Sequence, residues 1–512
     1  MAEDKYILAI DQGTTGTTTI LFDHQANVLG RGYAQVQQIY PRPGWVEHDP
    51  VQIWEGVQSS IQAAVQHARI SYNQIEAIGI TNQRETVVLW DKESGVPVYN
   101  AIVWQCRRTS QMCEKLRREG LEGELRAKTG LVLDPYFSGT KIAWLLENVA
   151  GLREKAQRGE ILFGNIDSWI IWNLSQGRLH LTDMTNASRT LLYNIYEHKW
   201  DEDILNYFNI PVAMLPDVRP SVSRFGEVLA GVLAPDSPAI PIAGVAGDQQ
   251  AALFGQACFS KGNIKATFGT GAFLLLNTGD TPVASQNNLL TTIAWGYNNK
   301  VEYALEGSTF IAGAAIQWLR DELKIINDAA ETEQLALSVP NNGGVYIVPA
   351  FVGLGAPYWD HSARGAVFGL TRGSNRNHLI RAALESIAFQ VRDVLEAMKQ
   401  DSGLEFEEIK VDGGAVANNF LMQFQADIMG SSVVRPRVWE TTALGAAYMA
   451  GLTVNYWNSQ KEIATLWQAD RVFSPKMTPE LRQKEYANWK KAVSRALEWE
   501  EPAEDASASN MF

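Results

Sequence analysis

The sequence predicts an α/β protein of two domains, and three observations carry that prediction. Apolar, strand-like runs alternate with stretches of helical spacing through the first half of the chain, as in an α/β domain. A strand, glycine turn, strand device occurs twice, at Tyr6–Asp23 (Y-I-L-A-I-D-Q-G-T-T-G-T-T-T-I-L-F-D) and at Gly262–Thr278 (G-N-I-K-A-T-F-G-T-G-A-F-L-L-L-N-T). The chain has 512 residues, 46% hydrophobic and 20% charged, which is material for roughly two to four domains. The main boundary is placed near residue 255, at the helix expected to begin with A-A-L-F-G-Q-A-C. It divides the chain into residues 1–255, residues 256–500 and a disordered tail, 501–512.

Taken in order, Tyr6–Ile10 and Thr17–Phe22 are β-prone runs on either side of D-Q-G-T-T-G. Glycine at positions 13 and 16 permits positive φ and a turn whose N–H groups face an anion. Asn27–Gln37 reads as a third strand. Val51–Ala68 has helical spacing at Ile53, Trp54, Val57, Ile61 and Val65. Ile75–Thr81 is a buried strand ending in N-Q-R-E-T, and Val87–Asp91 and Ala101–Trp104 are further strands. Asp134–Asn148 passes from a proline turn into a helix, and Ile161–Leu174 is expected to be helical. Ile240–Ala246 is a buried strand that ends in G-D-Q-Q, with a helix to follow. Beyond the second glycine hairpin, Ser308–Arg320 is expected to be helical. The helical run after H-L-I-R-A-A-L-E is assigned to the core. Thr478 and Pro479 open an amphipathic helix carrying Tyr486, Trp489, Val493 and Ala496.

Composition excludes several classes of function. A net charge of −13 argues against a general nucleic-acid binder. Three cysteines (Cys106, Cys113, Cys258) are too few for a disulfide framework and fit a reducing compartment. No signal peptide is visible in M-A-E-D-K-Y, and no apolar run approaches the length of a membrane span. The cytoplasm and no membrane insertion are therefore expected. Walker-A, H-E-x-x-H and clustered Cys/His patterns are missing.

What remains is two acidic strand ends, Asp11 and Asp248, beside two glycine hairpins. That combination suits Mg²⁺-dependent phosphoryl transfer, which needs a metal, donors around the phosphates and a carboxylate to take the acceptor's proton. Asp11 is placed to hold Mg²⁺, and Thr14 and Thr15 add hydroxyl donors to the first turn. An ordinary edge hairpin with strand-suited threonines fits the first stretch equally well. Gly313 with Gln317, and Gly414 with Asn418, are spaced i, i+4, which on a helix gives one face. There a flat ring can approach the glycine and the amide can bond its edge, although helix packing through a small residue explains either pair.

The stretches D-Q-G-T-T, N-Q-R-E-T, A-I-V-W-Q-C-R-R-T, G-D-Q-Q-A-A-L-F-G-Q and V-D-G-G-A-V-A-N-N-F-L-M-Q resemble the FGGY carbohydrate kinases. So do two signature-like segments, Y-F-S-G-T-K-I-A-W-L-L-E-N and G-A-V-F-G-L-T-R-G-S-N-R-N-H-L-I-R-A-A-L-E. The likeness runs from about residue 5 to 500. Q-R-E, W-Q-C-R-R-T and G-D-Q-Q are similar to the family's glycerol branch. The resemblance implies two ribonuclease H-like domains of the actin-like ATPase fold flanking a catalytic cleft. It also implies ATP-dependent phosphorylation of glycerol to sn-glycerol 3-phosphate, with another polyol or a ketopentose as the alternative acceptor. Arg84, Glu85, Trp104, Tyr136, Asp248, Gln249 and Phe273 would form the acceptor site, with Asp248 as general base. Asp11 and Asp248 would hold Mg²⁺. Thr14, Thr15, Gly16, Thr18 and Thr270 would meet the phosphates of ATP, and Gly313, Gln317, Gly414 and Asn418 its adenosine. A homo-oligomer, dimer or tetramer, is implied as well.

Three departures qualify the likeness. Thr18 stands where many relatives of the glycerol branch have an arginine, so a phosphate contact is lost or passes to another cation. Gly226–Ile240 lacks the glycine–arginine loop that binds fructose 1,6-bisphosphate in some relatives, and no such inhibition is expected. Ser221–Val228 offers no histidine for modification by phosphotransferase proteins.

Overall fold

The computed structural model describes residues 4–500; the tail expected to be disordered, 501–512, lies outside them. The first half opens with β1 (Tyr6–Gln12), β2 (Gly16–Phe22), β3 (Val28–Gln35), α1 (Pro50–Ala68) and β4 (Ile75–Asn82). It continues through α2 (Ser138–Asn148), α3 (Ile166–Leu174), β5 (Gly226–Val228), β6 (Ile240–Gly247) and α4 (Asp248–Gly255). β7 (Ile264–Phe268), β8 (Ala272–Gly279), β9 (Leu290–Tyr297), β10 (Lys300–Thr309) and α5 (Gly313–Asp321) follow. α6 (Arg376–Ser402), β11 (Glu408–Asp412), α7 (Asn419–Met429), β12 (Ser432–Pro436), α8 (Thr441–Thr453), β13 (Ala469–Phe473) and α9 (Pro479–Val493) complete the frame.

These elements build two large sheets, in the orders β5-β6-β4-β1-β2-β3 and β9-β10-β8-β7-β11-β12-β13. Each is organised around its glycine hairpin. β1 runs antiparallel to β2 and parallel to β4, and β7 runs antiparallel to β8 and parallel to β11. The two turns close alike, Gly13 N–H on the Gly16 carbonyl and Gly269 N–H on the Gly271 carbonyl, each at 2.9 Å. The internal echo in the sequence is therefore a structural repeat.

Local chemistry sets the helices. Asp49 caps α1 by accepting from the Val51 N–H, and Pro50 occupies the first turn. Ile53, Val57, Ile61 and Val65 then make the stripe that packs with α3 against the first sheet. α6 and α7 cover one face of the second sheet. Between the sheets lie α4 and α8. Ile7, Ala9 and Ala243 of the first sheet and Leu275 and Ala304 of the second share one core with Leu253, Ala446 and Met449 of these two helices. α8, from late in the chain, thus packs on the first sheet.

Several local expectations are corrected. Ile161–Gly164 is a strand antiparallel to Val88–Asp91, and helix begins only at Ile166; the unbroken apolar run hid the change of period. Ser308 and Thr309 still belong to β10, so α5 begins at Gly313. Ala101–Trp104 is extended only at Ala101–Ile102. Gly13 and Gly16 do not take positive φ. Gly16 is required by close approach instead, because a Cβ there would lie 2.6 Å from the Ala34 carbonyl oxygen of β3. Among the described residues no helix is long and apolar enough to cross a membrane.

Candidate active site

The strand ends of the first sheet converge where α4 begins. Asp11 pairs with Thr81 across β1 and β4, and Thr81 pairs in turn with Ala246 of β6. Asp248 follows directly as the first residue of α4. Asp248 therefore lies two strands away from Asp11 and two residues beyond its level. Burial, then the charge of Asp248, raises the Asp11 carboxyl to about 7, while Arg31 draws it down. Burial also raises Asp248, opposed by Arg84 and Lys265.

Arg84 and Glu85 follow β4. Arg84 Nε lies 3.3 Å from Asp248 Oδ1. Its other two nitrogens grip Glu306 of β10 as a fork, at 2.6 and 2.8 Å, and NH1 also donates to Gln250 Oε1 at 3.1 Å. Glu85 takes a left-handed backbone, φ 62°, which stores strain in a bulky residue. Its carboxylate accepts from Arg189 Nε at 2.7 Å. Burial raises the Glu85 carboxyl, against Arg189 and Arg84.

The aromatic residues meet here too. The Trp104 ring stands edge-on to Tyr136, centroids 5.6 Å apart, and to Phe273, 6.5 Å apart. Trp104 Nε1 donates to Thr14 Oγ1 at 2.9 Å, tying this wall to the first glycine turn. Asp134 holds the Tyr136 N–H at 2.8 Å. Gln249 is buried and its amide oxygen accepts from Lys265 Nζ.

Thr14, Thr15, Gly16 and Thr18 form the first turn and the strand after it, with Thr18 opposite Asp11. Thr270 occupies the second turn, which docks on the start of α5: the Ala312 N–H donates to the Thr270 carbonyl at 2.8 Å. Gly313 has no Cβ because the Gly269 carbonyl oxygen lies 2.7 Å from where one would be. Its smallness thus already serves the hairpin. Gln317 is exposed one turn along.

The second glycine–amide pair does not share a helix face. Gly414 opens a 3₁₀ turn ending at Ala417, and Asn418 is the extended N-cap of α7. The Asn418 side chain is engaged, accepting from the Leu421 N–H at 2.9 Å and donating to Thr332 Oγ1 at 3.0 Å. The D-G-G stretch after a strand favours a turn rather than a helix start. Gly414 itself borders open space, with nothing within 4 Å of a built Cβ.

Three buried charges escaped the sequence reading: Arg189, Lys265 and Glu306. Arg189 and Glu306 complete a closed set of ion pairs with Arg84 and Glu85. The signal available was a single charge inside an apolar strand, as in Y-A-L-E-G and N-I-K-A-T-F, since unpaired charges are almost never fully buried.

Comparison with known proteins shows the family and the fold. Residues 6–255 match the N-terminal domain of the FGGY family of carbohydrate kinases, and residues 264–454 its C-terminal domain. Glycerol kinase 2 of Thermotoga maritima is 60% identical over 496 residues, covering 97% of this chain and 99% of the relative. Glycerol kinase of Caldanaerobacter subterraneus subsp. tengcongensis is 60% identical over 497 residues, with the same coverage. The crystal structure of Plasmodium falciparum glycerol kinase with ADP superposes with a TM-score of 0.90 at 39% identity, covering 96% of this chain and 98% of that one. By motif, architecture and similarity over nearly its whole length, the chain belongs to the FGGY family of carbohydrate kinases.

Proposed function

We propose that this chain transfers the terminal phosphoryl group of ATP to a terminal hydroxyl of glycerol, giving sn-glycerol 3-phosphate and ADP. One observation carries the reading. Asp248 heads a helix between the two sheets with Arg84 at its side, Glu85 next along the chain and the Trp104–Tyr136–Phe273 wall close by. Glycerol is three hydroxyls on a bare carbon chain, so it needs donors, acceptors and apolar cover together. Relatives named glycerol kinase, 58–60% identical over nearly their full length, support the same acceptor.

In this reading Asp248 takes the proton of the attacking hydroxyl. Arg84 donates to the acceptor, Glu85 and Gln249 bond it, and Trp104, Tyr136 and Phe273 cover its CH face. Thr14, Thr15, Gly16, Thr18 and Thr270 meet the phosphates. Gly313, Gln317, Gly414 and Asn418 hold the adenosine, Asn418 through what its capping bonds leave free. Asp11 and Asp248 would hold Mg²⁺, which when bound neutralises phosphate charge. They fit it: the charge of Asp248 raises the Asp11 carboxyl, and a carboxylate pair close enough for that favours a divalent cation. Among the described residues no group of three or more His, Cys, Asp or Glu could hold a metal. Mg²⁺ held by one or two carboxylates would take its remaining ligands from substrate phosphates and water. We assign the acceptor and phosphate groups to residues 1–255, apart from Phe273 and Thr270 contributed by the second half, the adenosine groups to residues 256–500, and the protein to the cytoplasm as a homo-oligomer.

The test is phosphorylation of glycerol, other polyols and ketopentoses at equal concentration, with Asp248→Asn alongside. Glycerol is the expected acceptor, and Asp248→Asn is expected to lose ~10²-fold or more in kcat with its fold intact. Equal turnover of a ketopentose would refute the acceptor; near-normal turnover of the variant would refute the base.

A further inference from the structure

Arg84 and Glu85, adjacent in sequence, are aimed by a residue from the other sheet. We propose that Glu306 is a positioning residue of the acceptor site, orienting Arg84 directly and Glu85 through Arg189, so that both face the polyol only when the two sheets are docked. This rests on the reading of the site as a glycerol site and adds to it a specificity role for Glu306 and Arg189.

The donor inventory supports it. Arg84 has five N–H groups. NH1 is used by Glu306 Oε2 and Gln250 Oε1, and NH2 gives one hydrogen to Glu306 Oε1. That leaves the second NH2 hydrogen and the Nε edge, which faces Asp248. The fork to Glu306 fixes the guanidinium plane, as a bidentate pair does, and so decides which edge is offered to a hydroxyl. Arg189 repeats the device one step out. Its Nε holds Glu85 at 2.7 Å, and its NH2 reaches the same Glu306 oxygen, Oε1, at 3.1 Å.

Burial and charge support it too. Glu85, Arg84, Arg189 and Glu306 are each at most 2% exposed, and their charges sum to zero. Burial pushes the Glu306 carboxyl up, but Arg189 and Arg84 outweigh it and hold it at about 2. Glu306 sits in β10 opposite Leu275 and Leu290, and the hydrogen bonds to its carboxylate come from Arg84 and Arg189 of the first half of the chain. Arg189 NH1 is buried with no hydrogen-bond partner. Arg189 lies against the Tyr136 ring, 5.7 Å from its centroid, so an uncommitted donor is buried beside the acceptor wall.

Glu306→Gln and Arg189→Lys test the role separately. The first keeps the shape and removes the charge; the second keeps the charge and removes the fork. Each is assayed with glycerol, 1,2-propanediol and 1,3-propanediol, alongside the KM for ATP and the melting temperature. Misaligned partners should raise the KM for glycerol ~10–100-fold and shrink the preference for glycerol over the diols by a comparable factor. The KM for ATP should stay within about twofold, since neither residue touches the phosphate turns. A purely structural ion pair would instead lower the melting temperature and depress all acceptors alike, leaving the preference unchanged; that result overturns the proposal. Should Glu306→Gln not fold, Arg189→Lys decides alone, an unchanged preference counting against the role. A wild-type enzyme that ignores glycerol would overturn the function itself, whereas a glycerol-active wild type with indifferent variants overturns only the positioning role.

Discussion

Asp167 shows how a single buried carboxyl can be a liability that the fold tolerates. It lies in α3 with no exposure, accepts from Thr182 Oγ1 at 2.6 Å through one oxygen, and leaves the other without a partner. Asp183, close by, takes the better bonds, capping the turn after it and accepting from Ser221. Burial, then the charge of Asp183, raises the Asp167 carboxyl to about 7. A carboxyl raised on folding favours the protonated fold, so its contribution is intact at low pH and is lost as pH rises toward the folded value. Asp167→Asn removes that titration. The variant should gain on the wild type between about pH 4 and pH 7, the ordinary and the folded values of this carboxyl, with roughly 4 kcal/mol as the ceiling for a shift of this size. Thermal denaturation at both pH values checks it; a pH-independent difference would refute the assignment. The candidate site divides in a similar way. Asp11 and Asp248 were legible because strand ends beside glycine turns are where an α/β fold collects chemistry. Arg189, Lys265 and Glu306 were not, because their burial is bearable only through partners distant in sequence, such as Arg84 for Glu306, and local pattern does not record those partners.

Helices α4 and α8 place Asp248, and their contact is set by missing side chains. A Cβ on Gly445 of α8 would lie 1.8 Å from the Ala251 carbonyl oxygen of α4, and one on Gly255 of α4 would lie 2.0 Å from the Thr441 carbonyl oxygen. The backbones therefore touch, and neither helix can shift alone. Gly445→Ala forces them apart and should cost about 1–3 kcal/mol, the usual range for overpacking. Because α4 starts at Asp248, the same change should lower kcat while sparing the cysteines and caps elsewhere. Urea denaturation and steady-state kinetics measure the two effects, and a variant as stable and active as the wild type would show that the contact relaxes freely. Elements with strong caps and clear periodicity, α1 and α9 among them, were legible from sequence. Those that failed lacked a boundary signal. Ile161–Gly164 runs into α3 without polar punctuation, and the turn at Gly414 depends on Gly413, at φ 92°, a position that the D-G-G stretch permits but that the i, i+4 spacing of Gly414 and Asn418 masked.

The two sheets are joined by buried polar contacts at the floor of the site and by exposed ones at its rim. At the floor, Glu306 holds Arg84 and Arg189, Lys265 Nζ reaches Gln249, and Gln256 Nε2 donates to Asp412 Oδ2 at 2.8 Å. At the rim, Arg107, held within the first half by Asp134 at 2.8 Å, meets His361 Nε2 of the second half at 3.4 Å in an exposed contact, beside a cavity of about 480 Å³ that both halves line. Burying the floor makes it the fixed side, while the exposed rim contacts are weak enough to break and remake. The two halves should therefore open and close at the rim, enclosing ATP and acceptor and excluding water from the transfer. Water lacks the carbon chain that the Trp104–Tyr136–Phe273 wall covers and the second and third hydroxyls that Arg84 and Glu85 would hold. It should therefore sit loosely where the acceptor hydroxyl belongs, and loss of positioning of that kind costs at least ~10²-fold in rate. ADP release without glycerol should accordingly run slower than with saturating glycerol by that factor or more. A coupled assay measures both rates on one preparation. Comparable rates would mean that the enclosed site does not discriminate water from a polyol, and that the actin-like frame hydrolyses ATP in its own right.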